Sequence, residues 1–210
     1  LGNAQTLIEE GKATISTAIC TRDDIMIYLI NKGLESELSF TIMESVRKGK
    51  GLKPEWEEEM KAHDVPDWYI WSCKKIKYMF PKAHAAAYVM MAYRIAYYKI
   101  FYPLAYYAAY FSIRASAFSY ELMCMGRERL EYYMADYKKR SDTLTKKEQD
   151  TVKDMKIVQE MYARGFSFTE VDLYKAQAHR FQVVDGKLMP ALDSIEGLGD
   201  KAADAVVLAA

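Results

Sequence analysis

Cysteine and glycine are both scarce in this sequence, and each scarcity excludes a class of fold. The three cysteines are odd in number and widely spaced, which excludes a disulfide framework and predicts reduced, buried thiols. Without a Cys-x-x-Cys or Cys–His pairing, they do not indicate a zinc site. Only ten glycines occur, and none lies between Gly51 and Gly126. A glycine-free stretch of this length, interrupted only by prolines, predicts helices joined by tight corners.

A long apolar run is also missing. The most apolar stretch, residues 83–113, is interrupted by Arg94, Lys99 and Pro103, whereas a membrane span needs about 20 predominantly apolar residues. We therefore expect no membrane partner and a cytoplasmic location. The sequence starts with Leu1 and stops within an apparent helix, so we expect a piece of a longer protein.

Acidic residues are absent from one part of a chain that is neutral overall. Residues 68–120 contain seven lysines and arginines but no aspartate or glutamate, and the compensating acids lie on both sides. The net charge of zero alone predicts no nucleic-acid partner. The placement of the charge, however, leaves a basic, tyrosine-rich segment that is suited to meeting an anion.

The pattern of caps and breakers predicts a mainly α fold, with many helices followed by a small α+β segment. Asp23 or Asp24 is expected to cap the second helix, and Asp185-Gly186 is a typical hairpin turn. The predicted helices are residues 4–11, 25–31, 37–47, 54–63, 68–78, 82–101, 103–114 and 119–137. A solvated helix pair is predicted over 138–156, with a turn near 141–145. A short helix is predicted over 190–194 and a last helix over 200–210. A hairpin is predicted over 181–189, with a further strand near Phe166.

The corner around Pro81 combines several features of an anion site. Lys77, Lys82 and His84 lie close to the expected N-terminus of the helix over 82–101, whose free N–H groups and positive dipole end attract phosphates. Tyrosines one turn further along are suited to stacking on a base. A tyrosine stripe is also typical of a helix core, and a single histidine is often a half-buried structural residue. The residues alone leave both interpretations open.

Longer stretches of the sequence resemble a known family, the PolC-type DNA polymerase III alpha subunits of the C family of bacterial replicative polymerases. One stretch is very similar to the family's fingers motif: Ser72-Cys73-Lys74-Lys75-Ile76-Lys77-Tyr78-Met79-Phe80-Pro81-Lys82-Ala83-His84-Ala85-Ala86-Ala87-Tyr88-Val89. Further matches are Arg22-Asp23-Asp24-Ile25-Met26, Ile42-Met43-Glu44-Ser45-Val46-Arg47-Lys48-Gly49-Lys50-Gly51-Leu52, Arg94-Ile95-Ala96-Tyr97-Tyr98-Lys99 and Tyr106-Tyr107-Ala108. The resemblance is dense over residues 1–118 and looser over 157–210.

The resemblance implies a division into three segments and an enzyme as the parent protein. Residues 1–137 would be the polymerase fingers region, 138–164 a charged helical connector, and 165–210 a small β element with a truncated helix-hairpin-helix module. The parent would be a DNA-directed DNA polymerase, a nucleotidyltransferase, whose Mg²⁺ is bound by palm carboxylates outside this chain. We expect no catalytic residue and no metal ligand within the chain, and no activity of the chain alone.

The resemblance also implies partners and site residues. The partners are template-primer DNA and deoxynucleoside triphosphates, with the sliding clamp and other replisome subunits bound by other parts of the parent. The residues expected to bind the nucleotide are Arg47, Lys77, Lys82, His84, Tyr97 and Tyr98. The residues expected to bind DNA are Lys48, Lys50, Lys74, Lys75, Gly197, Gly199 and Lys201.

The glycines near the C-terminus resemble a helix-hairpin-helix, in the pattern Ile195-x-Gly197-Leu198-Gly199. Glycines let the backbone approach a phosphate oxygen, and such contacts hold duplex DNA without reading its sequence. Lys201 favours a phosphate there and Asp200 opposes it. A simple glycine corner between two helices is the structural alternative.

Two other classes of function stay open at this stage. A sequence-independent nucleic-acid binding module without a nucleotide pocket would not bind free deoxynucleoside triphosphate. A helical protein-interaction scaffold would bind its partner with little dependence on salt, whereas phosphate contacts weaken steeply as salt rises.

Overall fold

The computed structural model describes residues 2–210, which form eleven α-helices, two short 3₁₀ turns and one two-stranded hairpin. The mainly α class predicted from the sequence is confirmed. The chain divides into two compact units, one extending through Ala92 and the other from Tyr93 to Ala210. The division into fingers, connector and hairpin segments concerns function and stays a prediction.

The helices follow the predicted order along the chain. Those that begin before Ala92 are α1 (Asn3–Glu9), α2 (Arg22–Asn31), α3 (Ser36–Arg47), α4 (Pro54–Ala62), α5 (Asp67–Lys75) and α6 (Lys82–Phe101). The later ones are α7 (Pro103–Ile113), α8 (Tyr120–Met123), α9 (Arg127–Lys139), α10 (Lys146–Ala163) and α11 (Asp200–Ala209). The 3₁₀ turns are Ser141–Thr143 and Leu192–Ser194, and the strands are β1 (Gln182–Val184) and β2 (Lys187–Met189). None of the helices in residues 2–210 combines the length and apolar character of a membrane span.

The core of the first unit is built from the facing sides of α2, α3 and α5. Ile25, Leu29, Ile42 and Val46 are fully buried, and the two residues of each helix are four positions apart, which places them on one face. Burying a side chain of this size contributes about 1.5–3 kcal/mol to stability. This packing fixes α2 and α3 side by side, and thereby the loops at their ends.

The core of the second unit is rich in aromatic and methionine side chains. Tyr107 and Phe111 of α7 pack with Met155 and Val158 of α10, and the cluster extends to Phe168, Phe181 and Leu188 around the hairpin. The Tyr107 hydroxyl donates a 2.6 Å hydrogen bond to Glu160, whose carboxylate also binds Lys99 at 2.7 Å. The charged segment before Gly165 is therefore part of this core on its inner face.

The β-hairpin predicted over residues 181–189 is confirmed. Gln182 pairs with Met189 across the antiparallel strands, and the Asp185-Gly186 turn has positive φ at both residues, as a type I′ turn requires. The strand predicted near Phe166 is reduced to an isolated bridge, in which Phe168 pairs with Leu188.

Several predicted details of the helices and cysteines are wrong. The helix expected over 68–78 ends at Lys75, because Ile76 is extended and buried. The helix expected over 119–137 is interrupted at Gly126, whose φ of 101° is not helical. Cys20 is exposed, although all three thiols were expected to be buried.

The predicted caps of the second helix also differ from the structure. Thr21, and not an aspartate, is its N-cap. Asp24 accepts the Thr21 N–H at 2.8 Å from inside the helix. Asp23 instead accepts the N–H of Lys82, so it caps α6.

Candidate functional site

The extended segment between α5 and α6 is held against two other helices by its backbone. The N–H of Met79 donates to the carbonyl of Arg47 at the end of α3, and the N–H of Arg22 at the start of α2 donates to the carbonyl of Phe80, both at 3.1 Å. These two bonds bring three distant stretches of sequence to one place. We call this place the Phe80 corner, defined by Arg22, Arg47, Lys77, Phe80, Lys82 and His84.

Gly49 allows the loop after α3 to approach this segment. Its φ is +72°, and a Cβ at this position would overlap the backbone carbonyl of Lys77. A side chain would therefore be strained by its own backbone angle and would also collide with its neighbour. The glycine follows from the internal geometry of the corner.

One carboxylate at the corner is surrounded by three cations. Glu44 binds the Arg47 guanidinium with both oxygens, Lys48 at 2.9 Å and Arg22 at 3.7 Å. The hydrogen bonds from Arg47 and then from Lys48 lower the pKa of Glu44 to about 2. Because one negative charge faces three positive ones, the group keeps an excess of positive charge.

The N-terminus of α6 is already occupied by acidic side chains. The N–H of Lys82 donates to the Asp23 carboxylate at 2.6 Å, and the Lys82 ammonium lies 2.9 Å from Asp24. Burial alone would raise the pKa of Asp24, but hydrogen bonds from Lys82, Thr21 and Cys20 outweigh it and lower the pKa below its usual value. Of the free N–H groups expected at this helix end, that of Lys82 is therefore already paired.

His84 and Lys77 are the ionisable members of the corner that form no ion pair within residues 2–210. The imidazole of His84 is half-buried between two rings, stacked on Phe80 at 4.4 Å and tilted against Tyr88 at 4.6 Å. Lys77 is exposed, and within residues 2–210 its ammonium forms no ion pair. The stacking holds the histidine in place, while the lysine charge remains available to a ligand.

The cations predicted to bind DNA near the corner differ in how they are satisfied. Lys48 binds Glu44, as described above, and Lys74 binds Glu57 at 2.6 Å. Lys75 lies over the ring of Trp71 at 5.4 Å, and Lys50 is exposed in the loop after α3. Part of the positive charge of the acid-free run, residues 68–120, is thus neutralised by acidic residues that precede it in the sequence.

Tyr97 and Tyr98 belong to the second unit. They are 51% and 55% exposed, with their ring centroids 6.0 Å apart and nearly perpendicular. Tyr97 also packs against Phe101 at 4.6 Å. Their exposure is compatible with stacking on a ligand, and their role in nucleotide binding stays a prediction.

The two glycines of the helix-hairpin-helix pattern, Gly197 and Gly199, differ in whether the backbone requires glycine. Gly197 has a φ of +85°, so its backbone angle favours glycine. Gly199 is the N-cap of α11 with an ordinary φ of −75°, and a Cβ there would meet nothing within 4 Å. Lys201 is exposed in the next turn. The loop borders a cleft of about 530 Å³ that Tyr137 and Lys147 also line.

Arg22, Asp23 and Glu44 were not predicted as members of the site. The spacing of Glu44, Arg47 and Lys48 at i, i+3 and i+4 on one helix was a signal for their ion pairs. No comparable signal exists for Arg22, which reaches Glu44 from another helix.

Asp23 and Asp24 are adjacent carboxylates at the corner, and they do not suit a pair of magnesium ions. Both are committed to helix starts, and both face the Lys82 ammonium or N–H. A cation placed between them would have to displace these contacts.

Comparison with known proteins gives long matches to one type of protein, although no family model matches the chain. The chain is 50% identical over 206 residues to the DNA polymerase III PolC-type of Caldanaerobacter subterraneus subsp. tengcongensis, covering 98% of the chain and 15% of that protein. It is 53% identical over 209 residues to the one of Bacillus subtilis, covering the whole chain and 14% of the relative. The match to Streptococcus pyogenes is 51% over 217 aligned positions, again over the whole chain and 15% of the relative.

These matches define first a class and then a type. At this identity the chain is homologous to part of a bacterial DNA polymerase III. More narrowly, it corresponds to a segment of the PolC type, and the resemblance predicted from the sequence is confirmed. The chain spans about 15% of the length of the curated relatives it matches.

Proposed function

We propose that this chain is the fingers region of a PolC-type polymerase, followed by the start of a helix-hairpin-helix module. In this role the Phe80 corner binds the triphosphate of an incoming deoxynucleoside triphosphate, and the hairpin binds template-primer DNA. The observation that carries the proposal is that backbone hydrogen bonds and the stacking of His84 on Phe80 bring together the three segments that carry Arg47, Lys77 and His84.

The charges of the corner fit a polyphosphate. Arg22, Arg47 and Lys48 surround one carboxylate, and Lys77 adds a cation without a partner in the described chain. Arginine forks match phosphate oxygens in a bidentate manner, and lysine binds them as a point charge. Glu44 keeps the guanidinium of Arg47 oriented before the ligand arrives.

The acids at the start of α6 define the side from which the phosphates approach. Asp23 and Asp24 neutralise Lys82 and would repel a phosphate placed directly at the helix end. The triphosphate therefore lies toward Lys77, Arg47 and His84. Lys82 adds only the part of its positive charge that Asp23 and Asp24 leave unscreened. Tyr97 or Tyr98 packs near the base.

The parent protein of this segment is, in this proposal, a DNA-directed DNA polymerase. Palm carboxylates outside this chain would hold its Mg²⁺ ions, which would supply charge stabilisation for the attacking hydroxyl and the leaving phosphates. This chain binds and orients the nucleotide and the duplex and is inactive alone. Other parts of the parent contact the sliding clamp and other replisome subunits, in the cytoplasm.

The hairpin holds the duplex through its main chain. Gly199 has neither a backbone angle nor an internal neighbour that excludes a side chain, which supports the close approach of an external group. The N-terminal N–H groups of α11 and the exposed Lys201 are suited to a phosphate. Lys48, Lys50, Lys74 and Lys75 add sequence-independent attraction to the DNA backbone.

Nucleotide kinetics test the proposal in the full-length polymerase that contains this segment. Arg47→Ala and His84→Ala should each raise the KM for the deoxynucleoside triphosphate by about tenfold, the effect of losing one charge-assisted contact. A lower kcat is expected where the contact tightens only in the transition state. Lys32→Ala, which removes a cation outside the corner, is the matched control. Unchanged KM and kcat in both corner variants would remove these residues from the nucleotide site.

A further inference from the structure

One imidazole in the second unit is surrounded by carboxylates. The Nδ1 atom of His179 lies 2.8 Å from Asp193, and its Nε2 atom lies 3.0 Å from Asp204. Asp200, one helical turn before Asp204 on α11, faces the same place. His179, Asp193 and Asp200 each bring a ligand atom within 4.8 Å of the others.

The backbone beneath this cluster is fixed. The N–H groups of Leu192 and Asp193 donate to the carbonyls of Gln177 and Ala178, both at 3.0 Å, which sets His179 and Asp193 in register. Leu192 and Ala203, each next to a residue of the cluster, are completely buried in a shared apolar cluster. The three segments that carry the polar side chains are therefore positioned before any ligand binds.

The donor set and its charge fit a divalent metal ion. Three carboxylates face one imidazole, so the cluster is strongly negative, and even a protonated histidine would leave it so. Imidazole nitrogens and carboxylate oxygens both bind Zn²⁺ directly. A histidine that binds a metal through one nitrogen usually donates its other N–H to a carboxylate.

We propose that His179, Asp193 and Asp200 bind one Zn²⁺ ion. His179 binds it through Nδ1, beside Asp193, and donates its Nε2–H to Asp204, which orients the ring. The side chains are exposed enough to close around an ion at ordinary bond lengths. Because Asp200 follows Gly199 directly, the ion would tie the first turn of α11 to the 3₁₀ turn Leu192–Ser194. This site does not depend on the proposed nucleotide or DNA binding.

Calorimetric titration of the 210-residue chain with Zn²⁺ tests the site. The protein carries Cys20→Ser, because an exposed thiol is itself a zinc ligand. We expect one ion per chain. His179→Gln and Asp200→Asn should each weaken binding by more than about tenfold, since even loss of an outer partner costs about 10–100-fold. Asp204→Asn should weaken it less. Saturating Zn²⁺ should raise the Tm by at least about 2 °C.

His63→Gln is the matched control, because His63 also faces a carboxylate, Glu59, but no second one. It should leave the affinity unchanged. Circular dichroism establishes that each variant is folded. If His179→Gln does not fold, Asp200→Asn, a substitution at an exposed residue, tests the site in its place. Absence of saturable binding up to about 1 mM Zn²⁺ would overturn the proposal. Binding that persists in folded His179→Gln and Asp200→Asn proteins would overturn it equally, because the ion would then lie elsewhere.

Discussion

The Phe80 corner with its neighbouring loop and the C-terminal helix-hairpin-helix pattern both combine glycine with basic residues, but the structure accounts for Gly49 and Gly199 differently. At the corner, Gly49 has a positive φ and no room for a Cβ beside Lys77. At the hairpin, Gly199 has an ordinary φ and open space around it. Glycine is required by the fold in the first case. In the second case neither the backbone angle nor a neighbouring atom requires glycine, and an external partner at the backbone would explain it.

The two regions also differ in how their cations are satisfied. Most of those at the corner already bind acids of the first unit, namely Glu44 and Asp24. A ligand there must compete with these ion pairs. At the hairpin, Lys201 is exposed and has no ion pair among residues 2–210. A cluster of basic residues therefore indicates an anion-binding site only when some of its charges are not already paired with acidic residues of the same chain.

The largest expected effect is on the stability of the corner. Gly49→Ala should lower the free energy of unfolding by at least about 2 kcal/mol, because positive-φ strain and the overlap with the Lys77 carbonyl add. Urea denaturation measures this change. Gly51→Ala is the matched control, since Gly51 has a similar φ of +77° but no neighbour within 4 Å. Equal losses in the two variants would show that the close approach to Lys77 is unimportant.

A second prediction concerns the hairpin. Gly199→Val in the full-length polymerase should weaken duplex binding by about tenfold for all sequences alike, because a side chain blocks a phosphate contact that carries no base information. The Tm should change little, because a Cβ at this position meets no neighbour within 4 Å.

The salt dependence separates this contact from that of a lysine. Lys201→Met should reduce the slope of affinity against salt by about one, whereas Gly199→Val should reduce it only slightly. If Gly199→Val lowers the Tm and affinity falls only with the folded fraction, the glycine is a structural corner. Normal affinity in the folded variant would reject the DNA-binding role.

The smallest expected effect is on the pH dependence of stability at the corner. Since the folded-state pKa of Glu44 is lowered to about 2 from 4.5, its ion pairs stabilise the fold above about pH 4.5, and this contribution is lost as pH falls toward 2. Glu44→Gln should flatten the acid side of the stability curve. Glu58→Gln, which changes an exposed glutamate without an ion pair in the described chain, should not. An unchanged acid limb in Glu44→Gln would show that the ion pairs are too weak to matter.

The local features of the fold were predictable because their signals are local. Pro54 and Pro103 begin helices, and Asp185-Gly186 forms the hairpin turn, as the sequence indicates. The end of α5 was not predictable, because Ile76 leaves the helix in order to be buried in the tertiary structure. Helical periodicity contains no information on that competition.

The candidate site was predictable in composition and not in detail. The resemblance and the basic run identified Lys77, Lys82 and His84, and the structure brings them to one corner. The neutralisation of Lys82 depends on Asp23 and Asp24. Asp23 is 59 residues before Lys82 in the sequence, and no short-range pattern reveals such contacts. The same holds for the stacking of His84 on Phe80 across the proline turn.

The central claim is that the Phe80 corner binds the phosphates of a nucleotide. Its most direct test compares the affinity of the chain for a deoxynucleoside triphosphate and for the corresponding monophosphate, in wild type, Lys77→Met and Lys32→Met. Lys77→Met should weaken triphosphate binding by about tenfold, the effect of one charge-assisted contact, and leave the weaker monophosphate binding nearly unchanged, while Lys32→Met changes neither. Equal affinities of wild type and Lys77→Met for the triphosphate would contradict the account.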